Sequence, residues 1–170
     1  VWSQEPTGSD LGPSSLLFYL VAYAVTNLSA FFAVIAIANR TGSDLIEDFA
    51  GMGKRSPWIA GILTLALISL MGIPPTAGFI GKLFLFQSAI NSGLMWLAVI
   101  GVINSVISAY YYLRIVRTMY LEPATSMEPV KQNISFHFAL SVTGACVLLF
   151  GLFPERLFEI ARIAARGLLT

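Results

Sequence analysis

The chain has 170 residues, 56% of them hydrophobic and only 11% charged, with a mean hydropathy of +0.78. A soluble domain carries roughly one quarter charged residues, so this composition is suited to a lipid bilayer. The formal net charge of +1 leaves no basic surface for a phosphate backbone, which excludes nucleic acid as an expected partner.

The chain opens at Val1-Trp2 with no basic stretch, apolar core and small-residue cleavage site, as expected of a fragment or a processed product. Residues 1–13 read as an N-terminal extramembrane segment. Leu11 to Asn39 lacks Asp, Glu, Lys and Arg. A first membrane helix is expected over 14–38, with Pro13 at its first turn, where a missing amide costs nothing. Residues 39–57 read as a cytoplasmic loop. There Asp44, Glu47, Asp48, Lys54 and Arg55 surround Leu45, Ile46 and Phe49, a pattern suited to a short interfacial helix ending at Gly51-Met52-Gly53.

Residues 58–90 are too long for one straight crossing, since 33 residues at about 1.5 Å each span about 50 Å against a hydrocarbon core of about 30 Å. The run Gly72-Ile73-Pro74-Pro75 breaks them. Pro74 and Pro75 lack the amides that would bond the carbonyls of Leu70 and Met71, which predicts half-helices over 58–71 and 77–90, with Thr76 as a cap for the second.

After Asn91-Ser92-Gly93 a further span is expected over 94–120. Gly101, Ser105 and Ala109 form a small-residue ladder on it, suited to close helix contact. Tyr110, Tyr111 and Tyr112, followed by Arg114 and Arg117, mark its exit into the headgroups, and Trp58 and Trp96 read as interface anchors. Residues 121–134, with Pro123 and Pro129, form a second cytoplasmic loop, and 135–153 the last span. In 154–170, Arg156, Arg162 and Arg166 alternate with apolar residues, as in an amphipathic tail lying on the surface. The fold class is therefore an all-α polytopic membrane protein with about four crossings, one of them discontinuous.

Counting 58–90 as one crossing puts Arg40, Lys54, Arg55, Arg114, Arg117 and Lys131 on one side, expected to be cytoplasmic, and the three tail arginines on the other. Counting the halves as two full crossings gives the same six-to-three split with different members. Charge alone leaves the parity open. Length favours one crossing, because each half of about 14 residues falls short of the roughly 17 a span requires.

Lys82 is the only charged residue between Ser56 and Leu113, and it follows the break closely. A lone ionisable group beside a broken apolar helix marks an ion or proton path. Burial and the positive end of the second half-helix disfavour its ammonium form, while carbonyls freed at the end of the first favour a cation. Such opposed influences make a group whose protonation a neighbouring charge can flip. Unpaired backbone at Gly72, Pro74 and Pro75 also implies surrounding protein or water. The alternative is that Lys82 snorkels past Leu83 to Ile90 into the headgroups. Gly78 and Gly81, bracketing it, suit bundle packing better.

Asn27, with Thr26 and Ser29, on the first span, and Asn104 with Ser108 on the third, are candidates for lining a water path, or else interhelical hydrogen bonds. His137 reads as an interfacial imidazole rather than a relay. The single cysteine, Cys146, can form neither an internal disulfide nor a metal cluster, so redox chemistry is expected elsewhere. Paired carboxylates, metal-ligand spacings and phosphate loops are missing from the sequence, so no metal or cofactor is expected on this chain.

The segment SLMGIPPTAGFIGK (Ser69 to Lys82), with GMGKRSPW (Gly51 to Trp58) and ISAYYYLRIVRTMY (Ile107 to Tyr120), resembles the C-terminal part of the N-type antiporter-related membrane subunit of respiratory complex I. The broken-helix motif is shared with sister subunits and with multisubunit cation/proton antiporters. The resemblance implies a proton-translocating subunit of NADH:quinone oxidoreductase, with Lys82 matching the lysine of the second broken helix. It implies NADH, flavin, iron–sulfur clusters and quinone in partner subunits, and no redox site here. Neighbouring antiporter-like subunits, the upstream portion of the same subunit and lipid are the implied partners. A bacterial cytoplasmic membrane, or an organelle inner membrane, is the implied location. Phe31-Phe32-Ala33 holds nothing ionisable where sister subunits carry a lysine. A cation/proton antiporter subunit and a purely structural membrane segment are the alternatives.

Overall fold

A computed structural model describes residues 8–124 and 133–169. Among these described residues seven α-helices follow one another: α1 (Gly8–Thr41), α2 (Met52–Arg55), α3 (Pro57–Met71), α4 (Ala77–Asn91), α5 (Met95–Leu121), α6 (Ile134–Leu152) and α7 (Pro154–Leu169). No strand occurs among the described residues. Leu11–Thr41, Met95–Leu121 and Ile134–Leu152 are long and apolar enough to cross a membrane, and α3 is a shorter apolar helix. Most of the N-terminal segment and residues 125–132 of the second loop, with Pro129 and Lys131, lie outside the described residues.

The halves α3 and α4 lie end to end along the single helix α1. Gly12 faces Ser88, Tyr19 faces Gly81, and Thr26 faces Ser69, so successive positions on α1 meet α4 and then α3 in reverse order. They form one broken crossing beside one continuous one. Two small-residue interfaces make this possible. Ala22, Ala33 and Ala36 of α1 and Ala60, Ala66 and Ala77 of the broken helix are fully buried, which lets the backbones approach where lipid offers no hydrophobic drive.

Two apolar clusters flank the break. Ile37, Met52, Ile59, Leu63, Met119 and Leu140 fill one end, while Phe18, Ala22, Ala77 and Ala161, with Phe84 and Phe158 beside them, fill the other. The rings of Phe84 and Phe158 are 4.5 Å apart and those of Phe18 and Phe84 5.3 Å, the latter edge to face, a favourable arrangement of ring quadrupoles. One face of α5 is uncovered: Val99, Ile103, Val106 and Tyr110 are all more than half exposed. In a bilayer such a face meets acyl chains or further helices.

The structure departs from the sequence expectations in four places. Helix α1 begins at Gly8, so Pro13 lies inside it rather than at its first turn; a proline there forgoes one intrahelical bond without ending the helix. The segment 46–55 is not one interfacial helix ending at Gly51-Met52-Gly53. It is a 3-10 turn (Ile46–Phe49) and the single-turn α2, hinged at Gly51 with φ 67°, and Phe49 and Met52 are drawn into the core. The tail α7 is the amphipathic helix expected, but its apolar side packs on the protein itself, with Leu157, Phe158 and Ala161 in the Phe18 cluster. Tyr111 and Tyr112 line the cavity described below; Tyr112 is partly buried, while Tyr111 stays 48% exposed and Tyr110 79%.

Candidate functional site

The break is a complete hydrogen-bonding unit. An α-helix ends with four carbonyls that lack intrahelical partners. Two of them are used by the chain turning back on α3: the amide of Gly72 meets Ser69 O at 3.0 Å, and that of Ile73 meets Ile68 O at 3.2 Å. This is the Schellman arrangement, and it requires the left-handed φ of 84° that Gly72 adopts without a side-chain clash. The remaining two carbonyls are those of Leu70 and Met71, whose ordinary donors would have been the amides of residues 74 and 75. Both are prolines, joined by a cis peptide bond.

Lys82 takes the vacant place. Its Nζ donates to Leu70 O at 2.9 Å, to Met71 O at 3.4 Å and to Ser105 Oγ at 3.0 Å. The side chain folds back across Gly72, with Cδ and Nζ the nearest atoms to that glycine. It does not extend past Leu83 to Ile90, so the snorkelling alternative is not the arrangement adopted. The contact to the two carbonyls is direct.

The start of α4 is closed from the other side. Thr76 occupies the N-cap position but does not cap, because its hydroxyl donates to Ile73 O at 2.7 Å. The amide of Gly78 is instead bonded by Ser69 Oγ, 3.0 Å away on α3. The same oxygen lies 3.2 Å from Thr26 Oγ1 on α1, which donates to Ala22 O at 2.7 Å. With the Thr26 proton committed to Ala22, the Ser69 hydroxyl donates to Thr26, so a chain of buried hydroxyls ties α1, α3 and α4 together. Gly78 is required by this approach: a Cβ there would meet the Ser69 carbonyl. Gly151 of α6 presses on Pro75 and Thr76 just as closely.

A cavity of about 340 Å³ surrounds the lysine, lined among others by Thr26, Ser69, Lys82, Asn104, Ser105 and Ser108. That volume accommodates several waters, and the lining supplies the polar partners they need. Tyr19 and Tyr23 of α1 and Tyr111 and Tyr112 of α5 complete the wall. The tyrosine run had suggested headgroup contact because Arg114 and Arg117 follow it; on a helix, however, Tyr111 and Tyr112 lie on the side that carries Ser108. A second, apolar groove of about 480 Å³ runs between α4 and α5 and shares Leu85, Phe86, Gly101 and Asn104 with the lining of the Lys82 cavity, the Phe86 ring lying over Gly101.

The structure thus brings Asn104 and Ser108 to Lys82 and leaves Asn27 out. Asn27 donates to Tyr23 O at 2.8 Å along its own helix, and its neighbour Thr26 holds the place on the cavity wall. His137 is half-buried in the first turn of α6, outside the lining. Sequence reasoning missed Ser69 and Ser105 as partners; the available signal was that both are polar positions on helices neighbouring the break. Among the described residues no group of three His, Cys, Asp or Glu side chains is placed to hold a metal.

Comparison with known proteins agrees with this architecture. The family described as "NADH:quinone oxidoreductase/Mrp antiporter, TM" matches residues 7–108. The chain is 41% identical over 168 residues to NADH-quinone oxidoreductase subunit N of Desulfitobacterium hafniense, covering 98% of this chain and 34% of that one. It is 44% identical over 149 residues to the subunit of the same name from Dehalococcoides mccartyi, covering 88% and 31%. The chain therefore spans about a third of the length of these curated relatives. Among solved structures it matches a chain of respiratory complex I from Thermus thermophilus with TM-score 0.74 and 28% identity, covering 86% of this chain and 34% of that one. A chain of the archaeal membrane-bound sulfane sulfur reductase matches with TM-score 0.83 and 26% identity, covering 92% and 32%. A chain of the Mrp complex from Dietzia, at TM-score 0.82 and 22% identity over 94% and 38%, shares the fold. With a discontinuous helix packed along a continuous one and a family match over most of its length, the chain belongs to the NADH:quinone oxidoreductase/Mrp antiporter membrane family.

Proposed function

We propose that this chain is the C-terminal part of a proton-translocating N-type membrane subunit of NADH:quinone oxidoreductase, with Lys82 as a group that loads and releases a proton. The observation that carries the reading is the seat of the Lys82 amine on the Leu70 and Met71 carbonyls beside a polar cavity. The resemblance to subunit N proteins favours the respiratory complex over a cation/proton antiporter.

In this reading each residue has a physical task. Pro74 and Pro75 strip two carbonyls of their amide donors, and Gly72 turns the chain so that those carbonyls face α4. The carbonyl dipoles hold the amine when it is protonated, and the cavity brings water to it when it is not. Ser69, Thr26 and Gly78 keep the two half-helices in register, so the amine meets the same cage at every cycle. No electron passes through the chain; NADH, flavin, iron–sulfur clusters and quinone belong to partner subunits, and this chain binds none of them. Its partners are the upstream portion of the same subunit, neighbouring antiporter-like subunits and lipid. Its location is the bacterial cytoplasmic membrane, with the side rich in Lys and Arg facing the cytoplasm.

The test is Lys82→Ala and Lys82→Arg in the full-length subunit within the assembled complex, reconstituted into liposomes. Proton uptake driven by NADH is expected to fall in both, because a guanidinium holds its proton too tightly to relay it. Undiminished uptake in either assembled variant would remove Lys82 from the path. Cation exchange driven by an ion gradient alone, without copurifying flavin subunits, would favour the antiporter instead.

A further inference from the structure

The amine of Lys82 has three acceptors around it, and they differ in kind. Leu70 O and Met71 O are carbonyls and can only accept. Ser105 Oγ belongs to a hydroxyl, which both accepts and donates. Here it accepts from Nζ at 3.0 Å and donates to Gly101 O, one turn earlier on α5, at 2.9 Å. This is a complete arrangement for an ammonium, whose three N–H bonds need three acceptors.

An uncharged amine presents two N–H bonds and one lone pair. Three acceptors then no longer suit it, and one neighbour must become a donor. The two carbonyls have no proton to give. Among the described residues the other titratable side chains on the cavity wall are Tyr19 and Tyr23 of α1 and Tyr111 and Tyr112 of α5; no described Asp or Glu lines it, and none of these tyrosines is bonded to Nζ.

We infer that Ser105 is the positioning residue of Lys82, and that its hydroxyl reverses direction with the charge of the amine. When the ammonium releases its proton to a water in the cavity, the N–H electron pair stays on nitrogen as a lone pair. The Ser105 hydroxyl then turns about its Cβ–Oγ bond, leaves Gly101 O and donates to that lone pair, keeping its own proton throughout. Gly101 O passes to water, which is accessible because Gly101 itself lines the cavity. On reloading, the steps reverse. Both charge states of the lysine therefore keep a full set of hydrogen bonds, so neither carries the penalty of an unsatisfied polar group at membrane depth. The site is prepared for this: Ser108 Oγ donates to Ser105 O at 2.8 Å, and the ring of Phe86 covers Gly101 on the apolar side.

The inference rests on the proposed function, since it needs a lysine that changes charge, and the experiment separates the two. In the assembled complex carrying the full-length subunit, NADH-driven proton uptake is measured for Ser105→Ala, Ser105→Thr and Lys82→Ala. Ser105→Ala is expected to slow uptake roughly fivefold, the scale of one ordinary hydrogen bond lost. Ser105→Thr keeps the hydroxyl and is expected to restore the rate to within about twofold. Thermal stability of the complex is measured in parallel, and Ser105→Ala is expected to leave it unchanged when added to Lys82→Ala. Uptake by Ser105→Ala at the wild-type rate overturns the inference, as does failure of threonine to rescue or an equal loss of stability with and without Lys82. A wild-type rate for Lys82→Ala alone instead overturns the proposed function. Should Ser105→Ala fail to assemble, Ser105→Cys, whose thiol hydrogen-bonds weakly, replaces it with the same expected loss.

Discussion

Ser69 Oγ and the amide of Gly78 are bonded at 3.0 Å across a backbone break, so a residue of the first half-helix caps the second. The pair fixes the relative position of α3 and α4 across residues 72–76, where the helical ladder is interrupted. Ser69→Ala would leave the Gly78 amide unpaired in a fully buried position. A loss of about 1–3 kcal/mol is expected, measured as earlier thermal unfolding of the purified full-length subunit. Thr76→Ala, by contrast, removes a hydroxyl that only bonds Ile73 O and should cost less than Ser69→Ala. Equal losses would mean that Thr76, not Ser69, holds the start of α4.

Two glycines on the broken helix make opposite predictions. A Cβ at Gly78 meets backbone of α3, which cannot swing aside, whereas a Cβ at Gly61 on α3 meets nothing within 4 Å. Gly78→Ala is expected to destabilise by about 1–3 kcal/mol through overpacking. Gly61→Ala lies inside a helix and is expected to be neutral or to stabilise by up to about 1 kcal/mol, the difference in helix propensity. Denaturation of the two variants side by side checks both, and a tolerated Gly78→Ala would contradict the close approach of the half-helices.

The cavity wall separates polar residues that looked alike in the sequence. Asn104→Leu and Ser108→Ala replace groups on the wall, and proton uptake in the assembled complex is expected to slow by roughly twofold or more in each as water loses a partner. Asn27 bonds its own helix, and Asn27→Leu is expected to leave uptake unchanged. If Asn27→Leu slows uptake more than Asn104→Leu does, the water path runs elsewhere.

The tyrosine run divides in the same way. Tyr112→Phe removes a hydroxyl from the wall and is expected to slow uptake, while Tyr110→Phe, on the exposed face, is expected to match wild type. Rates for the two variants under identical driving force decide it.

What could be read beforehand was local. Two prolines in an apolar stretch too long for one straight crossing specify a break, and counting back four residues from each names the carbonyls of Leu70 and Met71 that the lysine meets. What could not be read depends on which helix stands beside which. Thr76 has the propensity of a cap, but propensity does not reveal that Ser69 of another helix already bonds Gly78. Ser105 looked like one rung of a small-residue ladder, and only the packing of α5 against α4 places its oxygen 3.0 Å from Nζ. Phe49 and Met52 sit among charges in the chain, so their burial under α3 depended on tertiary contacts that a short window cannot hold.

The cage around Lys82 is built from dipoles, and among the described residues no Asp or Glu lines the cavity to balance a positive charge there. A protonated amine at this place is a full charge held by dipoles within a thin insulating layer. Moving one elementary charge through the whole layer is worth about 2.3 kcal/mol per 100 mV, and occupancy of this nitrogen shares in that energy in proportion to its electrical depth. With Lys82 loading and releasing a proton as proposed, the resting voltage of the membrane is itself an effector of the site, biasing how often it is filled before any neighbouring helix moves.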